Sequence, residues 1–420
     1  KYFLYAVLKV YKNKKAIIQY SYIYLMLSSA GMAFPAYVGN DKFIVLLLLM
    51  GLYYFYQKSS LHNLQKQYAF FIAALFFSMT LIIIGSTLSL GTALSITSIL
   101  LIVYATYKID PVHYIQRLIK LIYYISIISV TFFSVTRILG LDFFSSLFPH
   151  LYSSTYKDNQ IYSYGGFIYR FVPLHSDRNC GPFGEPGQFQ CILSVALYFT
   201  LFRANLFNPK SRIRYLVVFF ITLITTLSTS GYIGMAILII CFSLHSLKAM
   251  DKQVKYVFIA MTLGVVLFIS TTKLGNDFIN TAVYDKIYEN GQLNLSNKSG
   301  GARTASITGV LSTIYHHPIA LFGIGYDELQ KMGLEGCAGF LYLLLAIGVM
   351  PFFILFGFCF HQIFRYNKGI WDIIVRILLI INMGLGQPHI MNFALFTMML
   401  YPYFIANSLR KTRIPHVRNS

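Results

Sequence analysis

The densest group of chemistry-bearing residues in this chain is Arg178-Asn179-Cys180-Gly181-Pro182-Phe183-Gly184-Glu185-Pro186-Gly187-Gln188-Phe189. Pro186 suits the first position of a helix, where its missing N–H costs nothing. The N–H groups of Gly187, Gln188 and Phe189 are then expected to be unpaired, and with the helix dipole they make an anion site. Gly181, Gly184 and Gly187 allow a tight turn and close approach of backbone to a ligand. Arg178 adds a planar, permanent cation over the same spot. Glu185 is the best candidate base: a carboxylate within reach accepts the proton of an attacking hydroxyl. A helix start lowers its basicity, and burial raises it. The plainer reading of this spacing is an ordinary helix start with a solvated Arg and a dipole-stabilised Glu.

A second group follows later. Arg303 opens an amphipathic helical stretch to Tyr315 and is a second cation for a diphosphate, or else a solvated face residue. His316 and His317 supply a base or a hydrogen bond to phosphate, or simply end that helix. Gly323-Ile324-Gly325-Tyr326-Asp327-Glu328 is too short for a nucleotide fingerprint and follows no βαβ strand. Within it Tyr326 and Asp327, with Arg303, Gly187 and Gln188, are expected to bind substrate. Gln387-Pro388-His389 lies at a turn that could line the same site. Motifs for metal proteases, P-loops, metal-bound sugar nucleotides and serine hydrolases are missing, so neither metal nor cofactor is expected. The five cysteines form no CxxC pair. A Cys180–Cys337 disulfide is the less favoured reading of that pair.

These residues need elements to hold them, and composition says which. Of the 420 residues, 56% are hydrophobic and 11% charged, where a soluble domain averages roughly 25% charged. The chain is therefore expected to be an all-α polytopic membrane protein with about 12 spans of roughly 20 residues. Their expected limits are 16–36, 43–56, 68–88, 91–107, 118–139, 187–205, 213–229, 231–247, 254–272, 337–361, 370–387 and 389–408. The formal charge of +20 would suggest nucleic acid in a soluble protein; here it points to inner loops on anionic lipid. With both termini inside, 23 of the 34 Lys and Arg residues fall in inner segments, which fixes the orientation. The whole chain is then one membrane domain. Five spans occupy 1–139, a first outer loop 140–186, four spans 187–272, a second outer loop 273–336, three spans 337–408, and a basic tail 409–420. Residues 223–235 make a polar break between two spans. Asp372 and Arg376 share one helical face, where they pair or snorkel toward the inner surface.

On these residues the chain resembles bacterial O-antigen and capsular polysaccharide polymerases of the Wzy type, with the related O-antigen ligases. RNCGPFGEPGQF is similar to their R-x-x-G-x-F-x-E-P-G pattern, filled by Arg178, Gly181, Phe183, Glu185, Pro186 and Gly187. LSTSGYIGM at 227–235 is similar to L-S-x-S-R-x-G, with Gly231 where an Arg is usual. HHPIALFGIGYDE is similar to a segment after the second outer loop. The His and Asn of ligases are not obvious at Glu335–Phe340, which favours a polymerase. The resemblance implies a metal-independent glycosyltransferase at the outer face of the bacterial plasma membrane. It would join undecaprenyl-pyrophosphate-linked oligosaccharides into O-antigen, capsule or exopolysaccharide. Membrane lipid and a chain-length regulator are implied partners, and nucleic acid is not. The alternatives are a lipid-linked oligosaccharide flippase, which would show two similar halves, an O-antigen ligase, and a membrane O-acyltransferase, for which His389 and Asn392 would serve weakly.

Overall fold

The computed structural model describes residues 2–57, 66–85, 90–147, 150–156, 159–246, 256, 259–260, 263, 271, 288–289, 292–293, 298–316, 321–332, 338–387 and 393–412. The expected 254–272 span therefore lies largely outside the described residues.

Apolar runs make helices because a bilayer core offers the backbone no other hydrogen-bond partner. Helices α1 (Tyr2–Ser28), α2 (Ala33–Val38), α3 (Asn40–Gln57), α4 (Lys66–Gly85), α5 (Leu90–Ile109) and α6 (Tyr114–Leu147) form the first part. Then come α7 (Pro186–Phe202), α8 (Pro209–Thr225) and α9 (Thr229–Ser246). Three described segments are long and apolar enough to cross a membrane, Lys66–Ile83, Leu90–Ile109 and Tyr114–Gly140, and four shorter apolar helices accompany them. Phe70, Phe77, Ile138 and Phe353 stand exposed on the outside. Such a surface is untenable in water and ordinary against lipid tails.

Two expected spans differ in form. The 16–36 span ends at Ser28, because Gly31 turns the chain at φ +97 before the short α2. The 337–361 span is two helices, α12 (Gly339–Ile347) and α13 (Val349–Arg365), broken at Gly348 with φ +87. The break is filled from outside: Ile324 N–H and Gly325 N–H donate to the Leu345 and Ala346 carbonyls at 2.9 and 3.1 Å. Gly323 makes that approach possible, since a β-carbon there would stand 2.8 Å from the Ile347 carbonyl carbon. The short α11 (Tyr326–Lys331) follows this splice, and α10 (Lys298–His316) precedes it.

The 140–186 segment is not helical throughout. Gly140 (φ +82) breaks the helical geometry of α6, and the tyrosine-rich stretch beyond forms β1 (His150–Tyr156) and β2 (Asn159–Gly165), paired antiparallel. Strand β3 (Arg170–Phe171) adds to β2 through Tyr164↔Phe171 and Gly165↔Arg170. Alternating aromatic and polar residues favour strands over helix. The chain is thus mainly helical rather than all-α. A second small pair joins β4 (Tyr288–Glu289) to β5 (Gln292–Leu293).

Small residues bring α9 and α14 (Ile370–Gly386) together. A β-carbon on Gly386 would stand 2.4 Å from Ser230 Oγ, and one on Gly234 3.1 Å from Asn382 Nδ2. Asn382 Nδ2 donates to the Ser230 carbonyl at 2.8 Å. Close backbones with interhelical hydrogen bonds are how helices associate where water supplies no hydrophobic drive. The last helix, α15 (Phe393–Thr412), packs on α7 and α13.

Away from the α7 start, Asp372 is a hub. Its Oδ2 accepts from Arg376 Nη2 at 2.7 Å and Arg203 Nη2 at 2.9 Å, and its Oδ1 from Tyr198 at 2.8 Å. The pairing with Arg376 matches the helical spacing. Snorkelling does not occur: Asp372 is 1% exposed and Arg376 0%. A carboxylate from α14 meets a guanidinium at the end of α7, and tertiary packing outcompetes escape to the surface.

Candidate functional site

The site is assembled where the 178–189 segment meets the start of α7. Glu185 caps that helix with extended backbone (φ −140, ψ 144), and Pro186 takes the first helical position, as the spacing predicts. The side chain of Glu185 makes no capping bond. The expected row of free N–H groups is shorter than the sequence suggested. Gln188 N–H and Phe189 N–H both return to the Glu185 carbonyl, at 3.2 and 3.4 Å. The 3.6-residue period brings them under that carbonyl.

Arg178 is held by its neighbours. Its N–H donates to the His175 carbonyl at 2.9 Å, and its side-chain Nε to the Thr226 carbonyl at 3.2 Å. Thr226 closes the C-terminal end of α8, where carbonyls lack helical partners and attract a cation. Nη1 and Nη2 of Arg178 have no hydrogen-bond partner among the described residues. Burial lowers the guanidinium below its usual value, while Cys180, Tyr232 and Glu185 pull it back up. Arg178 and Glu185 thus interact electrostatically without a hydrogen bond between them.

The loop between them is fastened to the bundle. Asn179 N–H donates to the Thr225 carbonyl at 2.9 Å, and Asn179 Nδ2 to Thr225 Oγ1 at 3.0 Å. Gly181 N–H donates back to Asn179 Oδ1 at 2.9 Å. Gly181 is left-handed at φ +58, and a β-carbon there would stand 2.7 Å from the Phe189 ring. Gly184 N–H donates to the Gly31 carbonyl at 3.0 Å. Cys180 is a buried thiol, pushed up to about 12 by burial; Cys337, with which the less favoured reading paired it, lies outside the described residues.

Arg170 is a second buried cation here that the sequence reading missed. Its Nη1 stands 3.3 Å from where a β-carbon on Gly184 would lie. Its backbone N–H donates to the Gly181 carbonyl at 2.8 Å. Burial lowers its guanidinium, with Cys180 and Tyr37 raising it. An Arg between aromatics in a short strand carries no motif, and the bond from its N–H to the Gly181 carbonyl is what brings it to Gly184.

Gln387, at the end of α14, also reaches the site. A β-carbon on Gly187 would stand 2.0 Å from Gln387 Nε2, so only glycine admits that amide undisturbed. Of the expected 387–389 turn, Gln387 stands beside the α7 start; residues 388 and 389 lie outside the described residues. The Gln188 side chain lies over Gly31, with Oε1 2.4 Å from a β-carbon position there. Gly231 packs on Gln190, its β-carbon position 3.1 Å from Gln190 Cβ, so a side chain there would press on Gln190.

The second group is less convergent. His316 ends α10 exposed, its ring edge-on to Tyr315 at 5.1 Å. Among the described residues no hydrogen bond or ion pair joins it to the 178–189 segment. His317 lies outside the described residues, as does the side chain of Arg303 within α10. Tyr326 begins α11 with its ring 5.3 Å from that of Tyr342. Asp327 follows in α11, its side chain outside the described part. No group of three or more His, Cys, Asp or Glu that could hold a metal ion occurs among the described residues.

Two guanidiniums and one carboxylate beside glycine-lined backbone can grip a diphosphate and accept one proton. Against known proteins, residues 215–337 match the family model described as O-antigen ligase. No curated protein and no solved structure matches the chain. The matched segment includes the 223–235 break and the 316–328 stretch but not the 178–189 segment. The two regions touch where Arg178 and Asn179 bond to Thr226 and Thr225.

Proposed function

We propose that this chain, which the 215–337 match relates to the O-antigen ligase family of membrane enzymes acting on lipid-linked glycans, is a polysaccharide polymerase. Its substrates are oligosaccharide repeat units on undecaprenyl pyrophosphate, and its products O-antigen, capsule or exopolysaccharide chains. It works at the outer face of the bacterial plasma membrane, with segments 140–186 and 273–336 outside and both termini inside.

The observation that carries this reading is the pair Arg178 and Glu185. Arg178 lies on the end of α8 and Glu185 caps α7, their charges interact, and neither the guanidinium Nη atoms nor the carboxylate has a hydrogen-bond partner among the described residues. An acceptor sugar hydroxyl attacks the anomeric carbon of the donor. Glu185 takes the hydroxyl proton as the new C–O bond forms. The bond from the anomeric carbon to the pyrophosphate breaks, and the electron pair leaves with the lipid diphosphate. Arg178, with Arg170 beside Gly184, receives that charge through charge-assisted hydrogen bonds. Arg303, Tyr326 and Asp327 bind the remaining glycan, with His316 and His317 as the alternative base.

The family description makes O-antigen ligase the second reading. Purified protein given only lipid-linked repeat units distinguishes the two. A polymerase makes a ladder of products spaced by one repeat. A ligase makes none without a second kind of acceptor, and that outcome would displace the polymerase assignment.

A further inference from the structure

Two acceptor atoms beside Glu185 are buried and unused. Gln188 and Gln387 are each 8% exposed, and the Oε1 of each lacks a hydrogen-bond partner. A buried amide oxygen without a donor is costly, and nearly all such groups in folded proteins have one. Both belong to the same helix start. Gln188 is three residues beyond Glu185, and Gln387 lies against Gly187 between them. Glycines at 31 and 187 admit the two amides where any β-carbon would collide.

The chemistry of these atoms differs from that of an anion site. A carbonyl oxygen repels phosphate oxygens and accepts from hydroxyl or amide donors. The N–H groups of Gln188 and Phe189, which would suit an anion, already serve the Glu185 carbonyl. The start of α7 therefore offers acceptors, while the guanidiniums of Arg178 and Arg170 offer donors.

We propose that Gln188 and Gln387 form a sugar subsite, in which their Oε1 atoms accept hydrogen bonds from ring hydroxyls of the sugar that bears the diphosphate. The diphosphate itself lies on the arginine side. This rests on the polymerase reading and divides its site in two. The arginines recognise any lipid diphosphate, and the glutamines recognise whether a sugar is attached. A sugar lacking the contacted hydroxyls leaves both oxygens buried and unpaired, which is how such a site discriminates.

The test uses the full chain, purified in lipid nanodiscs, and two probes. One is undecaprenyl pyrophosphate without sugar; the other is the lipid-linked repeat unit extracted from cells lacking this polymerase. Gln188→Met and Gln387→Met keep length and volume but remove the acceptor. Each is expected to weaken binding of the sugar-bearing probe about fivefold, the worth of one neutral hydrogen bond, and to leave the sugar-free probe unchanged. Equal weakening of both probes would assign the glutamines to the diphosphate and overturn the subsite. Wild-type affinity for both probes would assign them to internal water, with the same result. Should Gln188→Met fail to fold, Gln387→Met alone decides between these outcomes. Failure of the wild-type chain to bind either probe would instead strike the polymerase reading itself.

Discussion

The side-chain amide of Gln387 lies against the α-carbon of Gly187, so that a β-carbon there would stand 2.0 Å from Nε2. The contact joins the end of α14 to the start of α7, two residues from Glu185. Gly187→Ala should displace the Gln387 amide, the far end of a flexible side chain, at a cost of at most about 1 kcal/mol, the low end for overpacking. Polymer formation should fall about 10²-fold, because small misplacements near a reacting centre have effects of that size. Thermal unfolding and product ladders measured on the same sample check both figures. Full activity in the alanine variant would show that the contact does not position the site.

Asp372 gathers Arg203, Arg376 and Tyr198 within the bundle. Asp372→Ala leaves two guanidiniums buried without their carboxylate. Loss of about 3–5 kcal/mol is expected, as for other broken buried pairs. Unfolding in detergent, followed by denaturant titration, should show it. A loss below about 1 kcal/mol would mean that water already screens the cluster.

Burial, and then the Arg178 charge, holds the His175 imidazole down to about 4 from its ordinary 6.5. Between those values the unfolded chain binds a proton that the folded chain refuses. The stability from neutral His175 is therefore complete above pH 6.5 and is lost as the pH falls toward 4. His175→Gln should flatten the decline of the melting temperature across that window. Parallel curves for the two proteins would remove His175 as its cause.

The site was legible in part, for reasons visible in single residues. Pro186 at the first helical position and Glu185 at the cap follow from local preferences, and both stand as the spacing predicts. The pairing of Asp372 with Arg376 is likewise a matter of helical period. Arg170 and the partner of Arg178 were not legible. Arg170 reaches Gly184 through the bond from its N–H to the Gly181 carbonyl, and Arg178 finds the end of α8 nearly fifty residues along the chain. Long-range docking of this kind leaves no period in the sequence. The break at Gly348 is hidden because the apolar run continues across it and only the backbone angles change, to φ 87 and ψ 162. The N–H groups of Gln188 and Phe189 are not free, because the carbonyl of the capping residue Glu185 accepts the first helical bonds.

Arg178→Lys keeps the charge and removes the fork. Arg178 spends Nε on the Thr226 carbonyl, and no described residue bonds its Nη1 or Nη2, the atoms proposed to meet the diphosphate. A lysine cannot do both in the same geometry. Polymer yield at equal protein level should drop by about 10²-fold or more, the typical cost of losing a preorganised donor to developing charge. Normal yield and length distribution in the lysine variant would reduce Arg178 to a simple counter-charge.

The account depends most on Glu185 as the base, and Glu185→Gln tests it directly. Gln keeps size and hydrogen bonding but accepts no proton at neutral pH. General-base losses are about 10²–10⁴-fold in rate, whereas a carboxylate serving only the helix dipole would cost roughly 0.3–1 kcal/mol of stability and little activity. The purified variant would be given lipid-linked repeat units, and ladder products counted against time. A rate reduced about 10²-fold or more, with melting temperature and substrate binding retained, is the expected result. A rate above about a tenth of wild type would contradict it and send the proton to His316 or His317.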